Sequence, residues 1–597
     1  MKVLVDVGGC VASLNPAQRH VCGMDVEREV LKWALKNAFD HGGLADVKAV
    51  MSKVMGAHPE LRSKAAEVKK IVVEKVEQVN SMSVEEQASL LAEIAPELTR
   101  KHEVREARRE LPELPQAEEG RVVTRLPPEP SGYMHLGHAL AGLINEYYAR
   151  RYGGKLWLRF EDTNPRKVRP IYYESFRQGY RWLGIEWDFE KNNSDDMELF
   201  YHHAKTLLGK GLLYPCFCTA EEMHRQRQTM TACRDRETEP GRALELWDKA
   251  VSGGFREGEI SFRLKGYVDS PNTALRDPVL FRIVDYPHPL KGRDYSLWPT
   301  YDFAAAVEDA VCGVTHVLRS SEFAFRDELQ NLIRQHLGLK NPVYVEFARF
   351  EFKGTPTSKR VIRELIEKGF VGGWDDPRLS TIDAVRRRGI RPEAIREFTT
   401  TYAGVSYAKK EYDWSLLYSI NRKFLDASSR RLFFVPEPVK LHLENLDAVV
   451  VEAPFHPTQN LGTRKIEVSK TVYVPGRDIK ALKPGEIFRC KYLANIRISS
   501  VEDDVVYGEV VGREPSPGVR IVQWVPEEAV RVRVFRYGSL LRSDGSFNVE
   551  GVEVIDGLGE KSVKEVGYRE VVQFERFGFC IRDSGENLSS STAMTNS

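Results

Sequence analysis

Cysteine is scarce in this sequence, eight in 597 residues and irregularly spaced, which excludes a disulfide framework and points to a reducing, cytoplasmic setting. No uninterrupted apolar run approaches the roughly 20 residues of a membrane span, and the opening MKVLVDVGGC carries Asp6 inside its only apolar stretch. Charge of one sign is missing as well. Lys+Arg 87 against Asp+Glu 86 leaves a net +1, so a surface for a polyanion has to be local. Strand signals are absent from residues 24–100, and no internal repeat stands out. The length exceeds one core and predicts about three to five domains at roughly 100–200 residues each.

What is present divides the chain. Residues 24–100 read as helices, VEREVLKWALKNAFDH first and VEEQASLLAEIA last, the latter N-capped by Ser83. Residues 101–120, charged and proline-marked, read as a linker. From 121 to 348 strand and helix patterns alternate, with the strand KLWLRF and a helix through IYYESFRQGYRWLG, which predicts a parallel sheet with crossover helices. Within it, about 215–295 turns irregular and reads as an insertion. A helical zone occupies 349–430. Residues 431–582 hold short runs such as KTVYV, VVYGEVV and VEVIDGL between Gly, Pro and Asp, the pattern of one or two all-β barrels. The polar tail 583–597 reads as disordered. Residues 1–23 lack a helical pattern, so Met24 is expected to be the natural start, with Met1 as the alternative.

The stretch PEPSGYMHLGHA follows the β-branched run VVTRL and precedes a helical pattern, so His135 and His138 are expected at a helix N-terminus. Such an end presents unpaired N–H groups to an anion, and Gly132 and Gly137 let a ligand approach the backbone. Two imidazoles there could hydrogen-bond phosphate oxygens as charge builds up. Taken alone, the two histidines fit metal ligands or ordinary helix caps equally well.

In its wider setting the string resembles the HIGH signature of class I aminoacyl-tRNA synthetases, in the glutamyl/glutaminyl group. The resemblance continues in FEDTNP at 160–165, WPTYDFA at 298–304, GVTHVLRSSEF at 313–323, TSKR at 357–360 and GGWDDPRLSTI at 372–382, in family order. It implies a multidomain chain: a Rossmann-like α/β catalytic domain with an inserted acceptor-binding domain, a helical N-terminal extension and all-β anticodon-binding barrels. It also implies a reaction in which ATP, with its Mg2+, activates an amino acid that then passes to the 3′ end of tRNA. By resemblance His135, His138 and Lys359 are catalytic, and Pro130, Gly132, Gly137 and Ser358 complete the ATP site. Thr357 departs from the family's loop, which leaves one lysine to meet the pyrophosphate.

The resemblance places Arg125, Glu161, Tyr301 and Arg319 around the amino acid. Glutaminyl members look like HSLC where this chain reads THVLR. A guanidinium matches a carboxylate and has no acceptor for an amide N–H, an unpaired buried amide hydrogen costing about 1–3 kcal/mol. Glutamate is therefore the expected substrate and tRNA(Glu) the partner, with tRNA(Gln) left open. The combination resembles the archaeal glutamyl enzymes. Arg386, Arg387 and Arg388 are expected to face tRNA phosphates. Cys216, Cys218 and Cys233 lie where some glutamyl enzymes hold structural zinc, but with only His224 as a candidate fourth ligand zinc is not favoured and no metal site is assigned. Rival readings are a glutaminyl enzyme, which Arg319 opposes, a small-molecule nucleotidyltransferase, which has no need of the β-rich tail, and a non-catalytic tRNA-binding paralogue, which has no reason to keep both histidines and Lys359.

Overall fold

The computed structural model describes residues 20–21, 24–40, 43–58, 61, 64–95, 98 and 110–583, apart from 357, 409, 480–481, 503–504, 543 and 549. The expectations for 1–19, 101–109 and 584–597 lie outside the described residues. Two units separate at residue 109.

Among its described residues the first unit is helical apart from a short antiparallel pair, His20–Val21 with Met24–Asp25, which the sequence pattern does not announce. Helices α1 (Val26–Asp40), α2 (Val47–Ala57), α3 (Ala65–Asn80) and α4 (Val84–Ile94) enclose a core that includes Val30, Leu35, Val54, Val72 and Leu91. Ser83 caps α4: its hydroxyl accepts from Glu86 N–H at 3.2 Å while the Glu86 carboxylate accepts from Ser83 N–H at 2.8 Å.

In the second unit, β1 (Val123–Leu126), β2 (Lys155–Phe160) and β3 (Phe189–Asn192) pair in parallel, joined by helices α5 (Leu136–Arg151) and α6 (Pro170–Trp182). On the other side of β1 lies β8 (His316–Ser320), which pairs in parallel with β9 (Val343–Phe347). Thr315 N–H donates to Val123 O at 3.0 Å and Val123 N–H to the Thr315 hydroxyl at 2.8 Å, carrying the sheet across the gap. The spatial order β3-β2-β1-β8-β9 reverses direction between β1 and β8. A crevice at the carboxyl ends of strands where the order reverses is the usual ligand position in a doubly wound sheet. Arg125 is on β1 and Arg319 on β8, one on each side of that point.

Between them the chain forms a four-stranded antiparallel sheet: β4 (Leu213–Cys216), β5 (Ser261–Leu264), β6 (Val279–Ile283) and β7 (Leu297–Pro299). The stretch that reads as irregular is thus an ordered sheet whose strands are three to five residues long, with Pro215 and Pro299 inside two of them. Its core runs from Met197 to Ile333, wider than 215–295, because helix α8 (Tyr301–Val311) supplies Phe303 and Val307 to it. The described end of the linker is packed rather than free: Leu111 and Leu114 are buried, and Tyr148 of α5 donates to Pro112 O at 2.8 Å.

Residues 350–426 are mainly helical and share the core of the parallel sheet through Phe352, Ile382, Val385 and Leu417. From Arg431 onward strands dominate: a seven-stranded sheet, two three-stranded sheets and a hairpin. They form two apolar cores, one with Leu441, Phe488, Ile496 and Trp524, the other with Phe434, Val534, Val572 and Phe574. No helix among the described residues is long and apolar enough to cross a membrane.

Candidate active site

The turn after β1 carries three prolines before α5 begins, and proline cannot continue a strand's hydrogen bonding. His135 is the N-cap of α5, in extended backbone. Its Nδ1 accepts from Gly137 N–H at 3.1 Å, and His138 Nδ1 accepts from His135 N–H at 3.3 Å. With both Nδ1 atoms accepting, the proton of each neutral ring is on Nε2, the outward donor. The rings lie 3.8 Å apart between centroids. A Cβ on residue 137 would come within 3.0 Å of His135 Cε1, so glycine is what lets this ring fold over the helix start. Burial, with Lys359 and Arg349 nearby, pushes the His135 pKa down to about 3, and burial beside His135 lowers His138 too. Both are neutral donors at physiological pH.

Lys359 opens helix α10 (Lys359–Glu367), and Ser358 is its N-cap. Its Nζ donates to the Ser131 hydroxyl at 2.8 Å, and that hydroxyl donates to Glu129 at 2.6 Å. The sequence places Lys359 in a separate signature 221 residues beyond His138; the structure brings both to one cleft of about 410 Å3, with Arg319, Arg349 and Phe350 on its walls. Burial lowers the Lys359 pKa, and Glu129 opposes the shift. Pro130, Gly132 and Ser358 are not among the lining residues. Pro130 O accepts from Arg169 N–H at 3.1 Å, and Ser358 O from Ile362 N–H at 3.0 Å.

The four residues expected around an amino acid converge at the sheet's reversal point. Arg125, buried, donates from Nη1 to Leu318 O at 3.2 Å. Glu161 follows the end of β2, its carboxylate 3.3 Å from Arg159 Nη2. Burial drives its pKa up to about 7, against the pull of Arg159 and Arg125. Tyr301 starts α8 and accepts from Arg319 Nη1 at 3.3 Å; burial pushes its phenol up to about 12. Glu161 and Tyr301 line a second cavity of about 660 Å3, with Arg276 and Arg282, whereas Arg319 lines the cleft of His135, His138 and Lys359 and Arg125 lines neither.

Beneath these four lies a buried ionic cluster that the sequence reading missed. Asp309 is 2.7 Å from Arg159, 3.2 Å from Arg334 and 3.4 Å from Arg125. Burial works against its charge, yet the three guanidiniums hold its pKa down to about 2. Its only trace in the sequence is weak: Arg159 interrupts an apolar strand two residues before Glu161, and Asp309 lies two turns along the helix that Tyr301 begins.

Of the three arginines expected to face phosphate, Arg388 is a correction. It is buried, donating to the carbonyls of Pro377 and Leu379, and stacks 3.9 Å over the Trp414 ring. Its donors and its surface are used in packing the helical zone. Arg387 is bonded to Asp583 and Asp375. Arg386 is the most open of the three, its side chain one-third exposed beside Asp383 and over Trp182.

Cys216, Cys218, Cys233 and Asp235 bring one ligand atom each within 4.8 Å of one another. The Cys216–Cys233 and Cys218–Cys233 sulfur separations are 3.6 and 3.5 Å. Thiolates about 2.3 Å from a tetrahedral zinc lie about 3.8 Å apart, so the set fits that ion. His224, the one candidate for a fourth ligand in a zinc site that the sequence does not favour, is elsewhere, on the wall of the larger cavity and 2.9 Å from Gln228. Asp235, two residues from Cys233, is the carboxylate near the three sulfurs, while His224 is on the helix α7 (Ala220–Thr229).

Residues 121–427 match the family described as tRNA synthetases class I (E and Q), catalytic domain, and residues 429–513 and 521–583 match two anti-codon binding domains of the same group. The glutamate–tRNA ligase of Nitrosopumilus maritimus is 41% identical over 560 residues, 94% of this chain and 98% of that protein. That of Pyrococcus abyssi is 41% identical over 570 residues, 93% of this chain and 97% of that protein. A crystal structure of a glutamate tRNA ligase from Elizabethkingia meningosepticum covers 52% of this chain and 70% of its own at 20% identity and a TM-score of 0.39, a likeness too slight to carry weight. With two histidines and a lysine sharing one cleft at the reversal of a parallel sheet, and with near-complete coverage by these relatives, the chain belongs to the archaeal-type glutamate–tRNA ligases of the class I (E and Q) synthetase family.

Proposed function

We propose that this chain activates L-glutamate with ATP to glutamyl-adenylate and transfers the glutamyl group to the 3′ end of tRNA(Glu), with the roles below. The observation that carries the reading is that Arg319, suited to a carboxylate, is on the wall of the same cleft as His135, His138 and Lys359, which are suited to phosphate. In activation the glutamate α-carboxylate attacks the α-phosphate of ATP and pyrophosphate leaves. Charge grows on phosphate oxygens, and fixed donors stabilise it without reorganising. The Nε2–H groups of His135 and His138 serve the α-phosphate. Lys359 leaves Ser131 for the departing pyrophosphate. Glu161 accepts from the substrate ammonium, Tyr301 and Arg125 orient the amino acid, and Arg319 pairs with its γ-carboxylate. ATP arrives with its Mg2+.

Arg386 is the arginine placed to meet tRNA phosphate. The three-cysteine cluster with Asp235 would hold a structural zinc that ties β4 to the segment around Cys233. Charging of purified tRNA(Glu) and tRNA(Gln) with labelled glutamate and glutamine tests the assignment. Glutamate on tRNA(Glu) is the product expected, and glutamine on either tRNA would overturn it.

A further inference from the structure

Arg319 is more heavily engaged than a free selector would be. Its Nη1 donates to Tyr301 Oη at 3.3 Å and to Gln330 Oε1 at 3.2 Å. Its Nη2 donates to Phe323 O at 3.4 Å and is ion-paired with Asp327. Each terminal nitrogen of a guanidinium has two hydrogens, so all four are committed within the protein. Only Nε–H, buried and without a hydrogen-bond partner among the described residues, is left over. A substrate carboxylate can take a two-pronged grip on Arg319 only by replacing one of these partners.

The partners are not equally replaceable. Phe323 O is backbone, and Gln330 is fully buried. Asp327 is a carboxylate like the arriving group. Its side chain is 20% exposed against 6% for Arg319, so it can turn to water while the guanidinium cannot. Arg319 is also held by aromatic rings, Tyr344 at 5.1 Å and Phe323 at 5.8 Å, and these keep it in place when an ion-pair partner leaves. Asp327 starts helix α9 (Asp327–Leu337).

We propose that Asp327 is a specificity-determining residue, whose carboxylate occupies Arg319 and yields the place only to another carboxylate. Exchange of Asp327 for the γ-carboxylate of glutamate replaces one ion pair by another and is close to neutral. Exchange for the amide of glutamine breaks an ion pair and returns only a neutral hydrogen bond. Rejection of glutamine is then built into the cost of entry, a repulsive element beside the attractive one. Neighbouring groups fit this role. Burial raises the Asp327 carboxyl pKa, opposed by Arg319 and by a hydrogen bond with the adjoining Glu346, which in turn accepts from Tyr407 Oη at 2.9 Å.

This inference rests on the reading of Arg319 as the γ-carboxylate partner, so its test has two arms. ATP–pyrophosphate exchange with tRNA(Glu) present is measured with glutamate and with glutamine for Asp327→Asn, Asp327→Ser, Asp327→Glu and Arg319→Cys. Asp327→Asn keeps the shape and removes the charge. It should lower the ratio of kcat/KM for glutamate over glutamine about tenfold, a change of about 1.4 kcal/mol, without raising the glutamate KM. Asp327→Ser should shift the ratio in the same direction, and Asp327→Glu should preserve it. An unchanged ratio in both uncharged variants, or a tenfold rise in glutamate KM with the ratio intact, overturns the proposal and leaves Asp327 a mere support. If Arg319→Cys keeps the wild-type preference, the reading of the pocket itself falls. If Arg319→Cys loses it while the uncharged Asp327 variants do not, the failure belongs to Asp327 alone.

Discussion

Lys359 lies directly across Gly132: its Nζ bonds the Ser131 hydroxyl at 2.8 Å, and a Cβ on residue 132 would stand 2.7 Å from Lys359 Cε. The two signatures are thus in contact before any chemistry, and the lysine is stored against the turn it serves. Removing a charge needed chiefly as pyrophosphate departs lowers the rate and spares ground-state binding. Lys359→Ala should reduce adenylate formation about 100- to 1000-fold, the loss typical of one transition-state donor. Gly132→Ala should cost less, since the far end of a lysine can shift. Single-turnover adenylation read beside the glutamate KM checks both, and an intact rate with a raised KM would contradict the assignment.

Glu161 sets a pH dependence. Its pKa is raised by burial to about 7, and it must be ionised to accept from an ammonium. Glutamate kcat/KM should therefore fall as pH drops through about 7, and hold level above it, because kcat/KM reports groups of the free enzyme. Glu161→Gln should flatten this limb and lower kcat/KM about 10- to 100-fold, the worth of a charged hydrogen bond of roughly 1.5–3 kcal/mol. A limb of the same midpoint in the variant would assign it to another group.

Arg386 and Arg388, two residues apart, should behave as different kinds of residue. Arg386→Ala should weaken tRNA binding and reduce the salt slope by about 0.7–0.9, the mark of one lost phosphate contact. Arg388→Ala removes buried donors and a ring contact, and should lower stability by about 2–4 kcal/mol with little change of salt slope. Salt-dependent tRNA binding and denaturant melts separate the two, and the reverse pattern would be inconsistent with the burial of Arg388.

If the cluster of Cys216, Cys218, Cys233 and Asp235 holds zinc, the purified chain should contain about one equivalent. Asp235→Ala should lower metal content, and a chelator should depress Tm in the wild type more than in that variant. His224→Ala should leave metal content unchanged. Loss of metal from the His224 variant, with retention in the Asp235 variant, would give the fourth place to His224 instead.

Legibility followed distance along the chain. The His135–His138 cap was readable because every part of it, turn, glycine and helix start, lies within a dozen residues. The parallel sheet was readable from alternation, and the helices of the first unit from period and capping. The contact of Lys359 with Ser131 was not, since nothing local links residues 228 apart. Neither was the Asp309 cluster, because a lone charge in an apolar run looks the same whether it is buried or at an edge. The insertion read as irregular because four-residue strands carrying Pro215 show no period. In RRR at 386–388 identical side chains give no sign of which one the helix end turns inward. Asp235 escaped because an aspartate beside a cysteine is a common surface pair, and only the fold brings it to the other two sulfurs.

Selection of glutamate at Arg319 is tested most directly by ATP–pyrophosphate exchange on Arg319→Cys, with tRNA(Glu) present and each amino acid supplied in turn. The variant loses the guanidinium proposed to pair with the γ-carboxylate, while the buried Arg125 and its Asp309 partner remain. Glutamate kcat/KM should fall about 10- to 100-fold, and glutamine should gain relative to glutamate without becoming an efficient substrate. An Arg319→Cys enzyme that keeps the wild-type preference for glutamate would contradict the account.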